Sequence, residues 1–194
     1  MDTNDIELHP LEPFFPDGAK VLMLGSFPPK KERWKMNFYY PNFQNDMWRI
    51  FGLVFFEDKD YFLTEDKKSF HEMKLRNFLT EKRIALWDTG MQVKRLKDNA
   101  SDKFLEIVRP IDLENVLQQL TSCVSIVTTG QKATDILMSI LGTKEPKVGE
   151  FIETVYCNHQ LRIYRMPSSS RAYPKPLQEK ASVYEKMFSE LGLK

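Results

Sequence analysis

Two stretches hold most of the residues in this chain whose types could do chemistry, and each follows directly on an apolar run. Gly25-Ser26-Phe27-Pro28-Pro29 comes after Val21-Leu22-Met23-Leu24 and leads through Tyr39-Tyr40 and Asn45 to Trp48. Met166-Pro167-Ser168-Ser169-Ser170-Arg171 comes after Leu161-Arg162-Ile163-Tyr164-Arg165. If the apolar runs are strands of an open α/β sheet, both loops stand at carboxyl ends, where such sheets bind their ligands. Trp87-Asp88 and Thr129-Gly130 are two further places of the same kind. Gly25 and Gly130 let backbone come close to a ligand, and a helix starting after such a turn offers free N–H groups to an anion. The resulting crevice suits a phosphate or a base, although either glycine also serves as a plain turn. Ser26 has no histidine nearby in sequence for a hydrolase triad; His9, His71 and His159 are all distant from it. No lysine stands out as a Schiff-base nucleophile.

The elements that must position these loops alternate in type. Residues 20–25 read as a short buried strand and 45–54 as a helix entered from a Pro- and Asn-rich turn. Helical spacing of Phe70, Met73, Leu75 and Phe78 predicts a helix over 66–81, followed by a strand over 83–87 that ends at Asp88. An amphipathic helix is expected over 111–120, a β-branched strand over 124–128, and a helix from Gly130 through Leu141 to a break at Gly142. Strands at 151–156 and 161–165 flank a Cys157-Asn158-His159-Gln160 turn, and a last helix covers 176–191. This order predicts an α/β fold, a three-layer α/β/α arrangement on a mainly parallel central sheet of about four to five strands, with the hairpin adding one antiparallel edge strand. Residues 1–19 carry Pro10, Pro13 and Pro16 and read as an irregular N-terminal arm, partly docked through Leu11, Phe14 and Phe15; residues 20–194 read as one domain.

Composition narrows the classes. A chain of 194 residues with 42% hydrophobic content is expected to fold around one sizeable core. The N-terminus has no charged-then-apolar signal pattern, and no apolar run approaches the roughly 20 residues that span a bilayer, so a cytoplasmic protein without membrane contact is expected. Two cysteines, Cys123 and Cys157, are too few for a four-thiolate cluster and read as buried apolar residues; no metal or cofactor is expected. A net charge of +1 makes no global case for nucleic acid. Its distribution says more: Lys30, Lys31, Arg33 and Lys35 follow the first loop, and Arg171, Lys175 and Lys180 the second. A solvated face is the plain reading of the first cluster, and its place beside the crevice is the reason to weigh another.

The motifs resemble those of the uracil-DNA glycosylase superfamily, most closely the hypoxanthine/uracil and mismatch-specific branches. Gly25-Ser26-Phe27-Pro28, a spacer and Tyr39-Tyr40-Pro41-Asn42-Phe43-Gln44-Asn45-Asp46-Met47-Trp48 are similar to the first motif. Met166-Pro167-Ser168-Ser169-Ser170 is similar to the second, with Ala85-Leu86-Trp87-Asp88 and Thr129-Gly130-Gln131-Lys132-Ala133 matching segments between them. The resemblance implies a monofunctional DNA glycosylase that hydrolyses the N-glycosidic bond of a flipped-out deaminated or damaged base, uracil or hypoxanthine foremost, with no cofactor. It implies DNA carrying a modified base as partner, and a monomer is expected.

Cleaving such a bond needs an extrahelical nucleotide, a stacking surface, donors for the departing base and a positioned water. The resemblance places Tyr40 as the stacking aromatic, with Gly25, Ser26, Phe27 and Thr129 lining the base pocket. Asn45 and Asp88 are the catalytic candidates, for orienting water or stabilising an oxocarbenium-like sugar. Each has a rival role as a helix or turn cap, and each ring a rival role in the core. Lys30, Lys31, Lys132, Ser168, Ser169, Ser170 and Arg171 are the DNA-binding candidates, with Arg171 or Tyr173 able to fill the gap left by a flipped base. A surface turn with capping serines is the other reading of the second loop. Three departures from the branch's pattern stand out: Pro29 replaces a Gly, Asn42 a His and Thr129 an Asn. Two alternatives stay open on these grounds, a non-catalytic nucleic-acid-binding relative and a small-molecule nucleotide-binding enzyme of the same architecture.

Overall fold

The computed structural model describes residues 6–96 and 104–194. In chain order the strands are β1 (Glu7–Leu8), β2 (Val21–Gly25), β3 (Ile84–Asp88), β4 (Gly90–Arg95), β5 (Leu105–Pro110), β6 (Ser125–Thr129), β7 (Phe151–Tyr156) and β8 (His159–Met166). The helices are α1 (Met47–Phe56), α2 (Glu72–Glu81), α3 (Leu113–Gln119), α4 (Gln131–Leu141) and α5 (Leu177–Glu190). The central sheet runs β3-β2-β6-β8-β7, with its first four strands parallel and β7 antiparallel at the edge. The expected three-layer α/β/α fold is therefore present.

Side-chain alternation along the strands divides the core into two halves. Val21 and Met23 of β2 face the layer of α1, α2 and α5, where Trp48, Phe51, Leu75 and Phe188 are buried. Leu22 and Leu24 face the opposite layer, packing with Leu117 of α3 and Leu137 of α4. Every residue of β2 and β6 is buried, as a parallel strand covered on both faces requires. A parallel sheet aligns its carboxyl ends, so the turns after β2, β3, β6 and β8 share one rim.

Local chemistry moves some element boundaries. α1 starts two residues later than expected: Asp46 is its N-cap, and Asn45 turns the chain just ahead of it, its Oδ1 accepting the Met47 N–H at 2.9 Å. α2 starts at Glu72 instead of 66, because Leu63 and Phe70 form a bridge and His71 supplies the cap. The hairpin turn is confined to Cys157 and Asn158, both in the left-handed region (φ 46° and 66°), as a tight two-residue turn demands. That position leaves Cys157 exposed, against the expectation of burial, while Cys123 is buried as expected.

One feature was not foreseen, a second sheet ordered β1-β4-β5. β1 pairs antiparallel with β4 through Glu7↔Val93 and Leu8↔Gln92, so the N-terminal segment is held by more than its apolar side chains. Phe14 bridges Leu86 with two backbone hydrogen bonds and covers the free edge of β3, which would otherwise offer unpaired donors and acceptors. Tyr39 donates its hydroxyl proton to the Glu12 carbonyl, and burial, aided by the Asp88 charge, raises its pKa. Of the arm expected over 1–19, residues 1–5 lie outside the described residues.

Candidate functional site

The shared rim opens into a crevice of about 1080 Å³, lined by Gly25, Ser26, Phe27, Tyr40, Asn45, Asp88, Thr129, Lys132, Ser168, Ser169, Ser170 and Arg171. Ligand pockets run to roughly 300–1,000 Å³, so this one exceeds the need of a free base. Of the residues singled out in the sequence, Lys30 and Lys31 are not part of its lining. Lys31 lies over the Trp34 ring at 5.8 Å, where the chain forms a 3-10 turn (Lys31–Arg33).

Asp88 ends β3 beside Gly25, its register partner at the end of β2. A Cβ on residue 25 would lie 2.6 Å from Asp88 Oδ1, so the absent side chain of Gly25 is what lets this carboxylate oxygen sit at the head of the crevice. Its other oxygen, Oδ2, is 2.8 Å from His9 Nε2. His9 was among the distant histidines of the sequence, and only the pairing of β1 with β4 brings it here; no sequence pattern marked it.

Tyr40 lines the same crevice with φ 51°, a conformation that a non-glycine residue adopts only at a cost. Its hydroxyl shares a 2.8 Å hydrogen bond with Thr129 Oγ1, and its ring meets Trp48 edge-on at 5.7 Å. Thr129, in place of the family-like Asn, therefore anchors the aromatic. Phe27 packs with Val93 and Leu105 and also lines the crevice. Ser26 is buried, and the carbonyls after it are pinned from behind, with Pro28 accepting from Arg95 and Pro29 from Trp34, both at 2.7 Å.

The second loop is fastened to the first motif. Asp46 accepts from Arg171 Nε at 3.0 Å and lies 3.5 Å from Lys180 Nζ, which also donates to the Ser170 carbonyl at 2.7 Å. Arg171 reaches Gln44 as well, and the Asp46 N–H donates to the Ser169 carbonyl at 2.9 Å. Burial lowers the Lys180 pKa, with the Asp46 charge opposing that shift. The serines turn the loop themselves: Ser168 Oγ accepts from the Ser170 N–H and Ser170 Oγ from the Ala172 N–H. The Arg171 guanidinium is thus committed to the protein, and Tyr173 is the remaining aromatic at this edge of the crevice.

Gly130 opens α4 at φ 131°, a region closed to residues with a side chain, and aims the helix N-terminus at the rim beside Lys132. Among the described residues no cluster of three His, Cys, Asp or Glu side chains could hold a metal ion, and no helix is long and apolar enough to cross a membrane.

No family model matches the sequence, and no curated protein matches it. The fold is similar to that of a candidate uracil DNA glycosylase from Methanosarcina acetivorans, whose structure was solved in solution by NMR. The two are 23% identical with a TM-score of 0.61, the match covering 97% of this chain and 99% of the other. At that identity the likeness is one of fold, and over nearly its whole length this chain folds as that protein does.

Proposed function

We propose that this chain is a monofunctional DNA glycosylase of the uracil-DNA glycosylase superfamily, hydrolysing the N-glycosidic bond of a flipped-out uracil or hypoxanthine in base excision repair. One observation carries the reading: a buried carboxylate, Asp88, lines the same crevice as a hydrogen-bonded aromatic, Tyr40. The fold likeness supports it, as do the ordered motifs at four strand ends.

In this mechanism Tyr40 stacks on the extruded base and Asp88 orients a water toward C1′ of the sugar. The water oxygen bonds to C1′ as the C1′–N bond breaks, the base leaves with the bonding pair and takes up a proton, and an abasic site remains. The Asp88 charge stabilises the cation developing on the sugar. Asn45 is anchored through its carbonyl oxygen to Met47 N–H, so it is the amide NH2 that turns to the base or sugar. Lys132, Ser168, Ser169 and Ser170 meet the flanking phosphates, with Lys30 and Lys31 further out along the strand. Incubation with uracil-, hypoxanthine- and xanthine-containing oligonucleotides, then alkaline cleavage of abasic sites, tests this. Absence of product over a broad lesion panel overturns it.

A second reading is favoured by Thr129, whose hydroxyl is engaged by Tyr40 where a carboxamide would contact the base. It is a non-catalytic nucleic-acid-binding relative, which would bind DNA in a salt-dependent manner and release no base.

A further inference from the structure

His9 and Asp88 lie 79 residues apart in sequence, His9 just after β1 and Asp88 at the end of β3, and meet at the back of the crevice. The His9 side chain is only 4% exposed, and its setting is specific. Its backbone N–H donates to Met91 O, extending the pairing of the N-terminal segment with β4. Its ring packs at 4.3 Å from the Trp87 ring and at 5.3 Å, edge-on, from Phe27. At Nδ1 the Leu11 backbone presents both an N–H, at 3.3 Å, and a carbonyl, at 3.0 Å. With Nδ1 unprotonated the N–H serves it; with Nδ1 protonated the carbonyl does. Nε2–H is directed at Asp88 in the neutral tautomer that leaves Nδ1 bare and in the imidazolium, which donates from both nitrogens.

We propose that His9 is a positioning residue for base excision: it donates Nε2–H to Asp88 Oδ2 and so keeps Oδ1 over Gly25, facing the water. The proposal rests on the glycosylase reading. Two independent features serve the same carboxylate, an imidazole behind Oδ2 and a missing Cβ in front of Oδ1, and together they leave Asp88 one orientation. The order is the reverse of a hydrolase triad, with the carboxylate toward the substrate and the imidazole behind it. A carboxylate held by one hydrogen bond keeps its charge and its remaining acceptor sites for the reacting groups. Residues that orient metal-ligating groups through one hydrogen bond are worth about 10–100-fold in activity, and the same order is expected for a carboxylate held in this way.

The test is single-turnover excision from uracil- and hypoxanthine-containing oligonucleotides by the parent protein, H9A and H9Q, with DNA affinity measured alongside. The side-chain NH2 of Gln reaches about as far as the imidazole Nε2. H9A is expected to lose about 10–100-fold in rate at unchanged affinity, and H9Q to recover most of it. A parent rate in H9A, or an H9Q no better than H9A, overturns the proposal. Excision by none of the three, parent included, overturns the glycosylase reading and this proposal with it, a result distinct from failure of the proposal alone. Should H9A not fold, the imidazole ¹⁵N resonances decide: Nε2 of His9 is expected to shift on D88N, and an unmoved resonance overturns the proposal.

Discussion

Asp46 and Asp88 are the same residue type, equally buried at 6% exposure, and each holds one side of the same crevice. Their partners set them apart. Asp46 lies between Arg171 and the ammonium of Lys180, itself 1% exposed, and does not line the crevice. Asp88 has an imidazole behind it and open crevice in front. A carboxylate flanked by two cations is a structural fastener whose charge is spent, whereas one held by a single neutral-capable donor keeps a field to offer a substrate. The second loop is thus fixed electrostatically and the first by close backbone approach. Under the proposed function, that difference gives grip to one wall and chemistry to the other.

The sharpest way to break this contrast is D88N, which preserves shape and still accepts from His9. It is expected to lower excision by about 10²–10⁴-fold with little change in unfolding midpoint; a matching loss of stability would make Asp88 a fastener too. Next in size is K180M, which strands Asp46 with one half-exposed partner and is expected to cost about 3–5 kcal/mol in urea unfolding. The double variant K180M/D46N should recover most of that, because removing both buried charges leaves neither uncompensated. A pH series sharpens the same point. Because burial lowers the Lys180 pKa from 10.5, the unfolded chain binds one more proton than the folded chain between the lowered value and 10.5. Stability from this residue therefore rises with pH across that window, and K180M should flatten the slope.

Smaller effects follow at the edges of the two walls. G25A places a methyl 2.6 Å from Asp88 Oδ1, too close for both, so excision should fall by about tenfold as the carboxylate rotates, with circular dichroism unchanged. R171Q should cost at most about 1 kcal/mol in stability, since its ion pair is half-exposed. If the guanidinium leaves Asp46 for phosphate on binding, the salt dependence of DNA affinity in R171Q should lose about one unit of slope. An unchanged slope would keep Arg171 as a fastener only.

Much of the fold was legible because it is encoded locally. Continuous apolar runs such as Val21-Leu22-Met23-Leu24 announce covered strands, and the loops after them mark the rim. The Pro- and Asn-rich turn before α1 was legible too, and the Asn45 carboxamide holds it by reaching a backbone N–H two residues on. The β4–β5 hairpin was missed because the alternation in Met91-Gln92-Val93-Lys94 is short and the pairing irregular, its register shifting between Gly90 and Gln92 and again between Gln92 and Val93. Cys157 was misjudged because burial is a tendency of the residue type, while exposure at a hairpin tip is set by the turn.

The sequence by itself determined the order of the central sheet's strands and of the helices, the α/β/α class and the residue types at the four strand ends, because periodicity and turn chemistry act over a few residues. Tertiary structure alone decided which of those residues work as partners. His9 finds Asp88 across 79 residues, Tyr40 finds Thr129 across 89, and Arg171 finds Asp46 across 125. Hydrogen bonds and ion pairs over such separations depend on how sheets pair and layers pack, and no local pattern records them. The same packing turned two aspartates, alike in sequence, into a fastener and a group facing open space.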